Sequence, residues 1–315
     1  MFTAPRFAQL ERYALSIHIG SLFFGLAGLL IFVPHGELVA ALPEVGQQLF
    51  SISMGNGGVV YMVFGMVAAM LFGRRLLGWR RTLMFMIPAI AISLSSELLG
   101  TSTGIPFGFY GYLTGLGYKI AGLVPFTIPL SWFYMGLSSF LLARTILKHG
   151  DHWLVRMESI ALGALLLTSW DFVLDPAMTQ AQIPFWQWFQ PGPFFGMPLQ
   201  NFGGWMLTGS LFMAVASLLW HRSGQDVPVL RRDQLAAPLV LYVANFSFAL
   251  ALSLGSGIYL PLPLGLLLGL GPALGLWWMA DAAPVHKPRP IVHPSEEISS
   301  ESLLTVEPEV ANVSL

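Results

Sequence analysis

The chain has 315 residues, of which 55% are hydrophobic and only 10% charged, against about 25% charged in an ordinary soluble domain. A chain this long and this apolar reads as a polytopic membrane protein, provided that spans of the right length can be found in it. The net charge of −1 gives no bulk attraction to nucleic acid, and the lack of cysteine excludes disulfides, thiolate catalysis and cysteine-ligated iron–sulfur or zinc sites.

The N-terminus, MFTAPRFAQLERYALS, places Arg6 and Arg12 before an apolar run of about 20 residues. That run is longer than the core of a signal peptide and lacks a small-residue cleavage site, so it reads as the first retained span. With it, eight apolar segments are visible in chain order, at 13–33, 58–73, 82–99, 123–143, 158–174, 205–220, 236–254 and 258–280. Each approaches the roughly 20 residues that cross a bilayer core as a helix. The connections between them alternate in charge. Arg74, Arg75, Arg80 and Arg81 follow the second segment, Arg144, Lys148 and Arg156 the fourth, and Arg222, Arg231 and Arg232 the sixth. The intervening connections carry only Lys119. With Arg6, Arg12, Lys287 and Arg289, fourteen of the fifteen basic residues fall on one side. By the positive-inside rule that side is cytoplasmic and holds both termini. The expected fold is all-α: a polytopic transmembrane helix bundle of about eight spans over 1–283. The Pro-, Ser- and Glu-rich stretch 284–315 is expected to be a disordered cytoplasmic tail.

This topology sorts the polar residues. Glu97, in AISLSSELLG, falls near the outer end of the third span, and Asp171 and Asp175, in SWDFVLDPAM, near the outer end of the fifth. Gln200 and Asn201 open the sixth span at the same depth, and Asn56, in SMGNGG, precedes the second. A carboxylate at mid-membrane costs roughly 2.5–3.5 kcal/mol on insertion scales, and less near the interface. Residues four apart on a helix share a face. Desolvation and mutual repulsion prevent two such carboxylates from both ionising cheaply, so one of Asp171 and Asp175 is a candidate proton donor. Plainer readings stand beside this one. Asp175 precedes Pro176 and would end its helix. Asp171 would bond Thr168, Ser169 or a tryptophan N–H, and Glu97 would bond Ser95, Ser96 or Thr101. Gln200, Asn201 and Asn56 would satisfy helix starts and turns, and His18 would pack or sit at an interface. The aromatic residues of the two long outer connections, among them Phe107, Phe109, Tyr110 and Tyr112 in the first, form either an interfacial belt or the lining of an apolar ligand site. Gly265, Gly269, Gly271 and Gly275 read as close helix packing.

Several chemistries lack their residues. No GxGxxG motif opens a strand–helix unit, and no repeated histidine clusters suit a membrane di-iron site. A prenyl-diphosphate site needs a second aspartate-rich motif, which is missing. No metal site and no cofactor are expected. Acid–base chemistry on an apolar substrate is left, or binding without chemistry.

SELLGTSTGIPFGFYGY (95–112), SWDFVLDPAM (169–178) and PLQNFGGW (198–205) together resemble the integral-membrane carotenoid 1,2-hydratases, over roughly residues 13–280. The resemblance implies cofactor-free addition of water across the terminal C1–C2 double bond of an acyclic ψ-end group, as in γ-carotene or lycopene. It also implies a prokaryotic cytoplasmic or thylakoid membrane, a hydrophobic carotenoid substrate taken from the lipid bilayer, and a downstream glycosyltransferase as a partner for the new hydroxyl. On that chemistry Asp171 or Asp175 is the expected acid, with Glu97 and Asn201 handling the water. Tyr110, Tyr112, Phe107, Phe109, Trp170, Trp205, Thr101, Gln200 and Asn56 are the expected substrate-binding residues. The alternative from another class is a non-catalytic carotenoid-binding or carrier membrane protein.

Overall fold

The computed structural model describes residues 4–149 and 152–282. The expected tail lies outside the described residues. Among the described residues, eight helices are long and apolar enough to cross a membrane. The chain is a polytopic helical bundle. Its helices are α1 (Ala4–Ala27, continued by a π-helical turn, Gly28–Phe32), the short α2 (Gly36–Ala40), α3 (Glu44–Leu77), α4 (Trp79–Thr103) and α5 (Thr127–Ala143). α6 (Trp153–Gln180), α7 (Gln200–Arg222), α8 (Ala236–Gly255), the short α9 (Pro261–Gly265) and α10 (Gly271–Met279) follow, the last two joined through a π-helical turn, Leu266–Leu270. The fourth and fifth spans are the central ones, with 83% and 72% of their apolar windows enclosed, against 22–33% for five of the other six.

Two helices outrun the sequence expectation. α3 begins at Glu44 rather than 58, and its 34 residues make a rod of about 50 Å at 1.5 Å per residue, against a hydrocarbon core of about 30 Å. The polar stretch EVGQQLFSISMGNGG is therefore helix, not loop, in a rod longer than the bilayer core is thick. Asn56 is inside that helix and donates to the Ile52 carbonyl at 3.0 Å. α6 likewise continues through Pro176 to Gln180, so Asp175 is an interior helix residue and not a helix end. Proline is tolerated inside a span because neighbouring groups satisfy the freed carbonyl.

The basic connections meet at one end of the bundle. Arg75 Nε pairs with Glu11 at 2.7 Å. Arg81 Nε donates to the Gln225 carbonyl at 2.9 Å, and Trp220 Nε1 to the Arg81 carbonyl at 3.0 Å. Arg144 donates to the Val227 carbonyl, Lys148 to the Met279 carbonyl, and Trp277 Nε1 to the Arg232 carbonyl. The charge alternation in the sequence thus corresponds to one physical face.

The opposite end carries two short two-stranded ribbons that the all-helical reading did not anticipate. β1 (Tyr110–Tyr112) pairs antiparallel with β4 (Trp186–Trp188), and β2 (Lys119–Ile120) with β3 (Val124–Pro125). The β1–β4 register matches Tyr110 with Trp188 and Tyr112 with Trp186.

His18 is fully buried between α3 and α8. The Asn245 amide donates to its Nε2 at 2.9 Å, which leaves Nδ1–H to donate to the Tyr61 carbonyl at 2.7 Å. Of the four glycines expected to pack closely, two do so. A Cβ on Gly269 would fall 2.3 Å from Ser169 Oγ, and one on Gly265 would fall 2.3 Å from Val173 Cγ2. One on Gly271 would approach only its own helix, at the Leu266 carbonyl oxygen, and one on Gly275 would meet no heavy atom within 4 Å. Overpacking a well-filled interface costs about 1–3 kcal/mol. Gly269→Leu is therefore expected to lower the melting temperature in detergent, and Gly275→Leu to leave it near wild type.

Candidate functional site

The site is best built from Glu97. Burial on the inner face of α4 denies this carboxylate water, so its oxygens need protein donors. Oε1 accepts the Trp132 indole N–H from α5 at 2.9 Å. Oε2 accepts the Tyr112 hydroxyl at 2.9 Å and also the Tyr110 hydroxyl. The ribbon explains how both tyrosines arrive. Side chains alternate along a strand, so Tyr110 and Tyr112 share one face of β1, with Gly111 between them. Trp186 and Trp188 share the matching face of β4, with the exposed Gln187 between them. Burial first, and then the neighbouring Glu97, hold the Tyr110 phenol well above its ordinary pKa. It is therefore a neutral donor throughout the neutral range.

Asp175 receives the other half of the ribbon. Trp186 Nε1 donates to Oδ2 at 2.8 Å and Trp188 Nε1 to Oδ1 at 3.0 Å. Asp171, one turn earlier on α6, accepts the Asn201 amide at Oδ2 at 2.6 Å. Its Oδ1 accepts no hydrogen bond among the described residues. The donor counts therefore fall in the order Glu97, Asp175, Asp171.

These groups line one cavity of ≈ 50 Å³. A single water needs about 10–15 Å³ by this measure, so the cavity takes a few waters or the tip of a ligand. Glu97, Asp171, Asp175 and Asn201 all reach it, as do Tyr110, Tyr112, Phe107, Trp170 and Trp205. The rest of its wall mixes aromatic rings with Met62, Ile128, Ser131, Leu174 and Met178. Trp132 stacks on Trp205 at 4.1 Å between ring centroids, and Tyr110 packs on Trp188 at 5.0 Å. A Cβ on Gly204 would fall 2.5 Å from Phe107, which is why this helix face carries no side chain at that position.

Four expected residues are not brought to this cavity. Thr101 spends its hydroxyl on the Glu97 carbonyl at 2.8 Å. Phe109 is on the opposite face of the ribbon from Tyr110 and packs on Phe189. Gln200 bonds the Gly104 carbonyl at 2.9 Å. Asn56 lines a separate groove between α1 and α3. Among the described residues no three His, Asp or Glu side chains are grouped to hold a metal ion. Trp132 was not anticipated. Its signal is an indole inside an apolar span, whose N–H needs a buried acceptor.

The chain matches the family described as carotenoid biosynthesis protein over residues 57–272. The chain belongs to that family. It is also 32% identical over 163 residues to bisanhydrobacterioruberin hydratase of Haloarcula japonica, covering 51% of this chain and 52% of that protein. The alignment thus spans about half the length of the curated relative. No solved structure matches. The matched range takes in every residue of the cavity, and the family's role in carotenoid biosynthesis fits an apolar, aromatic site inside a bilayer-spanning bundle.

Proposed function

We propose that this protein is a carotenoid hydratase that adds water to the terminal C1–C2 double bond of an acyclic end group. The observation that carries the reading is the convergence of Glu97, Asp171, Asp175 and Asn201 on one aromatic cavity at the end opposite the arginines. The named activity of the Haloarcula relative supports it.

The hydrogen bonds suggest a division of labour. A carboxylate offers about four lone-pair positions. Glu97 uses three on protein donors, which makes it an anchor for Tyr110, Tyr112 and Trp132 rather than a group free to handle water. Asp171 keeps one oxygen open toward the cavity and serves as the acid. It transfers its proton to C2, the π pair forms the C2–H bond, and the cation develops at tertiary C1. Ring faces attract such a cation, and Trp132, Trp205 and Tyr110 supply them. Water bonds to C1 and gives its extra proton to Asp175, whose oxygens retain lone pairs beyond those that Trp186 and Trp188 occupy. Return of that proton to Asp171, one helical turn away, restores the site. The balance is alkene plus water to tertiary alcohol, with no redox step.

Expression in a bacterium that makes lycopene or γ-carotene tests this. A product one water heavier is expected. Unaltered pigment held by the protein would instead favour the carrier reading, which the aromatic lining also suits. Trp188→Phe keeps the ring and removes one donor from Asp175. A hydrogen bond to a charged group is worth about 1.5–3 kcal/mol, so product formation is expected to fall about tenfold or more, read by chromatography of extracted pigment.

A further inference from the structure

The carboxylate cavity is too small to enclose a carotenoid. At ≈ 50 Å³ it takes an end group at most, so the polyene behind that group must leave through a wall. Tyr61 and Met178 form one such wall, and both also line a second cavity of ≈ 40 Å³ on their far side. That second cavity shares Ser21, Ser53 and Gly57 with a groove of ≈ 380 Å³ between α1 and α3. The groove is rimmed by exposed apolar side chains, Ile17, Phe24, Ile52 and Val60. The three spaces therefore adjoin in series, from the carboxylates to the outer flank of the bundle.

Gly20 on α1 and Gly57 on α3, both lining the groove, differ from the glycines that α3 packs closely further along. A Cβ on Gly65 would fall 2.9 Å from His18, and one on Gly73 2.8 Å from Thr82, so those glycines serve close packing. A Cβ on Gly20 or Gly57 would meet no heavy atom within 4 Å. These two keep a slot open instead. Met178, unbranched and adaptable, is well suited to be the movable part of the inner wall. A larger groove of ≈ 520 Å³ runs between α1 and α8, but it shares no residue with the carboxylate cavity and only Phe248 with the middle one.

We propose that the α1–α3 seam is the lateral entrance by which a linear polyene dissolved in the bilayer brings its end group to Asp171, and that the polyene stays in the seam during reaction. The inference rests on the hydratase reading for the identity of the end group, but not for the passage itself. Asn56, which the cavity leaves out, then lies beside the bound chain.

The test is retention of lycopene by the full-length protein purified from a lycopene-producing bacterium, in an Asp171→Asn background that removes turnover. Gly57→Trp, and independently Gly20→Leu, are expected to retain about tenfold less lycopene per protein, the order of effect when bulk is forced into space a ligand needs. Val240→Trp, in the α1–α8 groove, is expected to match its parent. Gly20→Leu fills space free of neighbours, so a folding defect does not mask the result. Equal retention by all variants, loss in Val240→Trp alone, or no retention by the parent would each overturn the entrance. If Asp171-intact protein holds lycopene without hydrating it while Gly57→Trp still loses it, the entrance stands and the hydratase reading falls.

Discussion

Asp171→Asn is expected to lower hydroxycarotenoid formation by about 10²–10⁴-fold, the usual contribution of a positioned general acid, while leaving the fold intact. The substitution is isosteric. The new side-chain oxygen can still accept the Asn201 amide now held at 2.6 Å, so the contact between α6 and α7 is kept. What the proposed mechanism loses is its carboxyl proton, assigned to an oxygen that accepts no hydrogen bond among the described residues. Asp175→Asn is the harsher companion. Both Asp175 oxygens accept indole N–H groups, and an amide would turn one N–H against another. That variant is expected to lose both activity and some stability. The pair is read by pigment chromatography after expression in a lycopene-producing host, with a melting curve of each purified variant. Full conversion by both variants would overturn the acid–base reading. Full conversion by Asp171→Asn alone would move the proton donor to Asp175.

The sequence made the membrane frame legible because two independent signals coincide in it. Eight apolar runs and the strict alternation of arginines require the same number of crossings, and the arginine-bearing connections do meet at one end of the bundle. Helix extents were less legible. Hydropathy marks only what crosses lipid, so the polar first third of α3 looked like a loop, and Pro176 looked like a stop. Depth could be inferred for the site residues, but direction could not. Gln200 and Asn201 open the same helix at one level, yet successive helical residues point about 100° apart. Asn201 therefore meets Asp171 while Gln200 turns to the Gly104 carbonyl. Phe109 and Tyr110 divide in the same way across a strand of period two. The pairing of YGY with WQW joins segments some 75 residues apart, and no local pattern in either one names the other. Trp132 illustrates the same limit: its N–H demanded an acceptor, but only the packing of α5 against α4 made that acceptor Glu97.

Glu97→Ala is expected to produce the largest loss of stability in the site, larger than Asp171→Asn by a wide margin. Three donors from two elements end on this carboxylate: Tyr110 and Tyr112 from the ribbon and Trp132 from α5. Removing the acceptor strands all three in a cavity with room for only a few waters. Each buried donor left unsatisfied costs about 1–3 kcal/mol. The chain end of the ribbon would then be held mainly by its own pairing and by Asp175. Melting temperature in detergent is expected to drop clearly, with increased proteolysis within 104–126 and 181–199, the two connections that the ribbon ties down. Glu97→Gln retains one acceptor and is expected to fall between Glu97→Ala and wild type. The two assignments separate on this measurement. A chemical role alone would leave Glu97→Ala folded and inactive, like Asp171→Asn. An anchoring role makes stability and ribbon protection fall first, with activity lost as the aromatic face over Asp171 comes apart.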